Sequence, residues 1–300
     1  MGDRFEDGFA GRVAVVTGGG TGMGRGLVRQ LTAQGCDVAT CDVIGTNLNQ
    51  TAALCAEDGN PGEVLQFIAD VSDEANVLAF RDAVAEWRPA VHLLFNNAGI
   101  GGGGSIVNGE REQWDKTFSV CWNGVYFNTR AFIPLMLEAD IGHVINTSSV
   151  NGFWASIGPD RPHSAYSAAK FAVKGFTEAL ITDFRANAPH IHASVVMPGH
   201  IGTEIALNSM RLLSADPDVI DPMMEAMGAA FRDYAPMNGD EAATIILDAV
   251  RRDEWRILVG ADAKRLDEAV RANPTGAYEP EFAGILIGLP SEAADGQEVS

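Results

Sequence analysis

Residues 12–24 read RVAVVTGGGTGMG, an apolar β-branched run that breaks into glycines and reopens as a helix. A short run with no polar alternation marks a strand buried on both faces, and such strands belong to parallel sheets covered by helices. The spacing predicts a strand from Arg12 to Val16, a glycine turn, and a helix from Gly24 to Gln34. Leu27, Val28 and Leu31 fall at helical spacing there, and Gly35 takes the C-cap.

The same unit then recurs. DVATCDV is a strand, 48–57 a helix, EVLQFIAD a strand, 72–87 a helix and VHLLFNNAG a strand. The second half adds a helix over about 111–139, strand GHVINTSS, helix 164–186, strand IHASVVMPG, helix 240–251 and strand EWRILVG. Alternation of this kind predicts an α/β fold, a doubly wound parallel sheet with helices on both faces. No linker rich in Pro, Gly or Ser divides the chain, so a single domain is expected, with its core over about 9–262. Residues 202–239 break the rhythm. Their Ile205, Leu207, Met210, Leu212, Leu213, Met223 and Met224 suit a helical lid over an apolar substrate, or the core of two short helices. A C-terminal extension, 263–300, ends in the polar GLPSEAADGQEVS, which is expected to be mobile.

Composition narrows the function classes. The chain is 46% apolar and 20% charged, and no apolar run approaches the roughly 20 residues that cross a bilayer. Charged clusters interrupt MGDRFEDGFAGR, which is unlike a signal peptide, so a cytoplasmic protein is expected. A formal charge of −19 opposes binding to nucleic acid or an anionic membrane. Cys36, Cys41, Cys55 and Cys121 lack C-x-x-C spacing and read as buried thiols, with no metal site implied.

Chemistry concentrates at strand ends. TGGGTGMG, 17–24, stands where backbone N–H groups and a helix N-terminus can receive a pyrophosphate. Asp42 ends the second strand and can accept from both ribose hydroxyls of an adenosine, while repelling a 2′-phosphate. With Val43 after it and Thr21 in the loop where a base might reach in, NAD is favoured over NADP. The alternative is that Asp42 simply opens a turn.

The spacing T-G-x-x-x-G-x-G (Thr17, Gly18, Gly22, Gly24), NNAG at 96–99, and Tyr166-x-x-x-Lys170 together resemble the short-chain dehydrogenase/reductase family, non-extended branch, over Val13 to about Ala261. The resemblance implies a Rossmann fold and hydride transfer between NAD(H) and a secondary alcohol or ketone. It also implies a homotetramer or homodimer built through the helices carrying Asn123 and Tyr166. Asn97, Ala98 and Gly99, Asp70 and Val71, and Pro198, Gly199 and Thr203 then fall at cofactor contacts. Tyr166 becomes the general acid/base, Lys170 its partner and a holder of the nicotinamide ribose. Ser149, rather than Ser148, becomes the donor to the substrate oxygen, and Asn123 supports a water-linked proton path.

The Tyr–Lys pair also has a physical reason. Tyrosine has a pKa near 10, and a cation about 4 Å away at an effective dielectric of about 20 is worth roughly 4 kcal/mol, or about three pKa units. Spacing i, i+4 puts both side chains on one helix face, so Lys170 is expected to draw Tyr166 toward neutrality. Read alone, the two could be ordinary surface residues. Between Ser149 and Tyr166 the chain is longer than the family pattern, the surplus lying in FWASIGPDRPH. Phe153 and Trp154 are candidates for an apolar pocket wall, Arg161 and His163 for a polar contact to substrate. Two other readings stay open: an NADP-dependent carbonyl reductase, and a non-catalytic nucleotide-binding sensor or scaffold.

Overall fold

The computed structural model describes residues 5, 8–158, 161–214 and 221–283. Residues 159 and 160 of the insertion, 215–220 of the expected lid and the polar tail at 288–300 lie outside the described residues. Seven strands form one parallel sheet: β1 (Val13–Thr17), β2 (Asp37–Asp42), β3 (Val64–Ile68), β4 (Leu93–Asn96), β5 (Gly142–Thr147), β6 (Ile191–Pro198) and β9 (Arg256–Val259). Their order is β3-β2-β1-β4-β5-β6-β9. This is a Rossmann-type sheet flanked by helices. The chain winds outward in opposite directions from β1 and β4, and a crevice opens beyond the carboxyl ends of these two strands.

The two faces of β1 show why the run carries no polar alternation. Ala14 and Val16 pack with Leu27 and Leu31 of α1 (Gly22–Ala33) and with Ile246 and Val250 of α9 (Gly239–Arg251). Val13 and Val15 join Phe80 of α3 (Glu74–Trp87), Phe132 of α5 (Gly124–Leu137) and Leu180 of α6 (Ser164–Asn187). Both sets are essentially excluded from water, so the four positions from Val13 to Val16 favour apolar side chains. Gly35, with φ of +79°, follows α1 in the left-handed conformation expected of a helix stop.

One expected element is corrected. The helix read over about 111–139 is two helices, α4 (Arg111–Phe118) and α5, joined by a π-helical turn at Ser119–Asn123. The Asn–Gly pair, a weak helix-forming sequence, falls at the junction.

Residues 202–239 contain α7 (Ile205–Leu213) and α8 (Pro222–Asp233), packed together where Gly228 meets Leu207. A two-stranded parallel pair, β7 (Ile201–Gly202) and β8 (Met237–Asn238), closes their base. The apolar residues divide: Ile205 and Leu212 face the crevice, Leu213 packs against the core, and Met223, 70% exposed, fills neither expected role. After β9 comes α10 (Ala261–Ala272), followed by short 3-10 turns at Gly276–Tyr278 and Pro280–Ala283. No helix among the described residues is long and apolar enough to cross a membrane.

Candidate active site

The crevice at the β1/β4 switch is lined by Gly18 and Gly22 of the glycine turn, Asp42, Asp70 and Val71 at the ends of β2 and β3, Asn97, Ala98 and Gly99 after β4, and Thr203. Thr17 stands behind this surface. It is 2% exposed, and its hydroxyl accepts from the backbone N–H of Asn97 and of Ala98, both at 3.0 Å. Thr17 thus fixes the loop after β4 to the end of β1. Gly24 is likewise required by packing, because a Cβ there would lie 2.0 Å from the Gly18 carbonyl oxygen. Gly18 needs glycine for conformation as well: its φ is +69°, and a Cβ on it would stand 2.9 Å from Ala98 Cα.

These residues fit a dinucleotide. Thr21, the N-cap of α1, makes no side-chain capping bond, so the first-turn N–H groups remain for a phosphate. Asp42 sits at the crevice wall with Oδ2 accepting from Gly20 N (3.1 Å) and Oδ1 from Ile44 N (3.0 Å). Burial pushes its carboxyl above the usual carboxylate range, against the pull of those backbone donors. The carboxylate still has acceptor capacity for a ribose hydroxyl. Asp42 also opens a turn, through its bond from Ile44 N.

Sequence reasoning missed Lys116 on α4. Its ammonium meets Asp70 Oδ2 at 2.6 Å and Ser72 Oγ at 3.1 Å, and it lines the crevice beside them. Burial raises the Asp70 carboxyl, but the bonds from Lys116 and Ser72 outweigh it and hold the group below its ordinary range. Asn208 of α7 was missed too; its amide reaches Thr21 Oγ1 at 3.5 Å, while Thr203 packs on Gly22. The start of the lid therefore rests on the glycine turn. No local pattern marks either residue, since both partners are distant in sequence.

The candidate catalytic residues gather beyond this crevice, off its lining. Lys170, 2% exposed, donates to the Thr147 carbonyl at 2.8 Å, and its nitrogen stands 5.3 Å from the Tyr166 ring centroid. The Ser149 hydroxyl acts on the Tyr166 phenol and favours its ionised form. Its Oγ also accepts from Asn151 N at 3.1 Å, which leaves the hydroxyl proton to be donated. Ser148 is spent on the Lys170 carbonyl at 2.8 Å, so Ser149 is the available serine. Asn123 ends the π-helical turn and donates to Ser119 Oγ at 3.0 Å, within that turn. Gly99 marks the meeting point of the two regions: a Cβ there would stand 3.5 Å from Lys170 Nζ and 3.7 Å from Cys121 Sγ.

The electrostatic expectation for Tyr166 is corrected. Burial, with a contribution from Cys121, pushes its phenol well above the ordinary value, and the Ser149 bond offsets this only in part. Burial also pushes the Lys170 ammonium below its ordinary value. The lysine lies over the ring and gives its hydrogen bond to Thr147, so the chain alone does not bring Tyr166 toward neutrality. His163 packs tilted against the same ring, centroids 4.7 Å apart, and burial pushes its imidazole down to about 4.

A second correction concerns the insertion. Trp154, expected as a pocket wall, is 2% exposed and packs with Leu266, Ala277 and Phe282 of the C-terminal segment, with Phe153 beside it. Arg161 is exposed. Pro198 ends β6, and Gly199 and His200 turn over Asp262, whose Oδ2 accepts from His200 N at 2.7 Å.

Residues 12–211 match the family model described as short chain dehydrogenase. The SadH protein of Mycobacterium tuberculosis is 34% identical over 282 residues, covering 94% of this chain and 98% of its own. A short chain dehydrogenase/reductase from Burkholderia phymatum, solved in complex with NAD, superposes with a TM-score of 0.76 at 29% identity, over 89% of this chain and 97% of its own. A metagenomic short-chain oxidoreductase solved with NADP gives 0.64 at 25% identity, over 84% and 97%. With a parallel seven-stranded sheet, a glycine turn at its switch point and a Ser–Tyr–Lys group beyond it, the chain belongs to the short-chain dehydrogenase/reductase family of oxidoreductases.

Proposed function

We propose that the protein oxidises a secondary alcohol, or reduces the corresponding ketone, with NAD(H) as its cofactor. The observation that carries this reading is the grouping of Ser149, Tyr166 and Lys170 at the end of a crevice whose far wall holds Asp42. Gly18, Gly22, the α1 N-terminus and Asp42 would hold the adenosine and phosphates, with Asp70 and Val71 toward the base. Asn97, Ala98, Gly99, Pro198, Gly199 and Thr203 would border the rest, and Lys170 the nicotinamide ribose. NAD, when bound, supplies the hydride acceptor, and its reduced form the donor.

The chain's own residues handle the proton. In alcohol oxidation Tyr166 takes the hydroxyl proton, while Ser149 donates to the oxygen as carbonyl character develops. A neutral serine suits this, because it polarises the oxygen without introducing a charge. Burial keeps the Tyr166 phenol protonated in the chain alone, the form from which ketone reduction starts, while making it a weaker acid. Its use as a base requires further positive charge nearby, which oxidised nicotinamide would contribute. Asn123 supports the lysine side of this path from the π-helical turn.

NAD is preferred to NADP because a 2′-phosphate would face the Asp42 carboxylate. Arg25, the cation that acts on Asp42 from α1, is turned to the Gly20 carbonyl (3.0 Å from Nε), Thr51 and Gln50. An apolar substrate is supported by Ile205 and Leu212 on the lid. A cytoplasmic homotetramer or homodimer completes the reading, with Tyr126 and Phe171 exposed on the helices that would meet. The test is a titration of NADH against NADPH, read by energy transfer from tryptophan to reduced nicotinamide. Tight NADH and weak NADPH support the proposal; preference for NADPH overturns the Asp42 argument, and binding of neither overturns the cofactor assignment.

A further inference from the structure

The loop after β5 and the turn after β6 come from separate strands, yet both are held by the same stretch of chain. Ser149 opens the first loop, and Trp154 closes it. The Trp154 indole N–H donates to the Ala277 carbonyl at 2.6 Å, and its ring lies on Phe282 with centroids 5.6 Å apart. The next residue, Ala155, gives its backbone N–H to the Tyr278 hydroxyl at 3.1 Å. Inside the loop, the Asn151 amide donates to the carbonyls of Trp154 (3.0 Å) and Ser156 (2.7 Å), while Asn151 N donates to Ser149 Oγ. A bonded path thus runs from Ala277 through Trp154 and Asn151 to the Ser149 hydroxyl.

On the other side, Asp262 begins the same C-terminal stretch. Its carboxylate lies against Gly199 closely enough that a Cβ there would be 2.1 Å from Oδ2, and Oδ2 holds His200 N at 2.7 Å. The other oxygen, Oδ1, is buried without a hydrogen-bond partner among the described residues, so the carboxylate is kept in place at a desolvation cost. The His200 ring nitrogen Nε2 lies 2.7 Å from the Phe231 carbonyl of α8, which extends the contact to the lid. Leu266, Ala269 and Val270 of α10 join the two ends, packing under Trp154, Val150 and Phe153.

We propose that the segment from Asp262 to Phe282 is a shared backing that sets the position of Ser149 relative to the Gly199–His200 turn, with Trp154 and Asp262 as positioning residues for the reaction. This rests on the proposed dehydrogenase activity. A displacement of about 1 Å can cost as much as a hundredfold in rate, so a loosened backing acts on turnover before it acts on folding.

The experiment compares Trp154→Phe, which keeps an aromatic ring but loses the N–H donor, and Tyr278→Phe, which removes only an exposed hydroxyl, with the unaltered protein. It also compares Asp262→Ala with Asp262→Asn, which keeps an acceptor for His200 N. Amide hydrogen exchange of the cofactor-free protein should accelerate at 149–156 in the first two and at 199–202 in Asp262→Ala, with Asp262→Asn restoring the slow rate. For Trp154→Phe, kcat should fall about tenfold while NADH affinity stays within about twofold, and Tyr278→Phe should follow in the same direction more weakly. Unchanged exchange at both loops would overturn the proposal, and so would faster exchange with kcat intact, which marks a purely structural contact. Undiminished turnover in Tyr166→Phe would instead refute the dehydrogenase mechanism, and is read independently of the exchange result.

Discussion

Lys170 holds its ammonium nitrogen over the face of Tyr166, 5.3 Å from the ring centroid, and directs its hydrogen bond to the Thr147 carbonyl. The pair is thereby positioned without Tyr166 being made acidic. If Tyr166 is the proton carrier, Tyr166→Phe removes the O–H and little else. General acid–base catalysis contributes about 10²–10⁴-fold, so kcat should drop by about a thousandfold with NADH binding retained. Steady-state kinetics beside a fluorescence titration checks both halves.

Asp42 gives a test of cofactor choice. Hydrogen bonds to charged groups contribute about 1.5–3 kcal/mol, so Asp42→Asn should weaken NADH by about tenfold or more and narrow the gap to NADPH. Because burial raises the Asp42 carboxyl and ribose donors would favour its ionised form, NADH affinity should also rise with pH across that titration. In Asp42→Asn this component of the pH dependence should be absent.

The Lys116–Asp70 pair predicts a pH-dependent stability. A carboxyl held below its unfolded value stabilises the fold above that value, and the contribution disappears as pH falls through the lower, folded one. Both side chains are about a third exposed, so Lys116→Met should cost no more than about 1 kcal/mol at pH 7. Urea denaturation should show the difference from the unaltered protein shrinking toward zero in strong acid.

His163 works in the opposite sense. Its folded value of about 4 lies below the ordinary 6.5, so between these values the unfolded chain binds the proton that the native state refuses. Stability is therefore lost as pH falls from about 6.5 to about 4. His163→Gln should remove this component, and comparing unfolding midpoints at pH 7 and pH 5 would reveal it as a gain of the variant over the original at the lower pH.

A buried amide ladder crosses the middle of the sheet: Asn96 donates to Asn146 at 2.8 Å, and Asn146 to Thr177 at 2.9 Å. Asn146 is fully buried. Asn146→Ala would deprive two neighbours of a partner at about 1–3 kcal/mol each, and a melting temperature several degrees lower is expected.

The sheet was legible because β1 is apolar on both faces, a pattern visible in the four consecutive letters from Val13 to Val16. The glycine turn, Asp42 and Ser149 were legible because they stand where strands end in the alternation, and Tyr166 and Lys170 because their i, i+4 spacing puts them on one helix face. Trp154 was misread because what covers it arrives 123 residues later. Lys116 escaped notice for a similar reason, its partner Asp70 being 46 residues away. The charge state expected for Tyr166 failed because spacing sets which face a side chain shares, but not how deeply that face is buried.

The π-helical turn at Ser119–Asn123 makes residue counting matter in an unusual way. It accommodates more chain per turn than the α-helices on either side. Deleting one residue there would leave α4 and α5 each able to form, yet rotate one against the other by about 100°. Lys116 could then keep its place beside Asp70, or Phe132 its place against the sheet, but a continuous rigid helix could not satisfy both. The extra residue is thus a phase correction between two surfaces, and the length of this segment is as much a part of its information content as its composition.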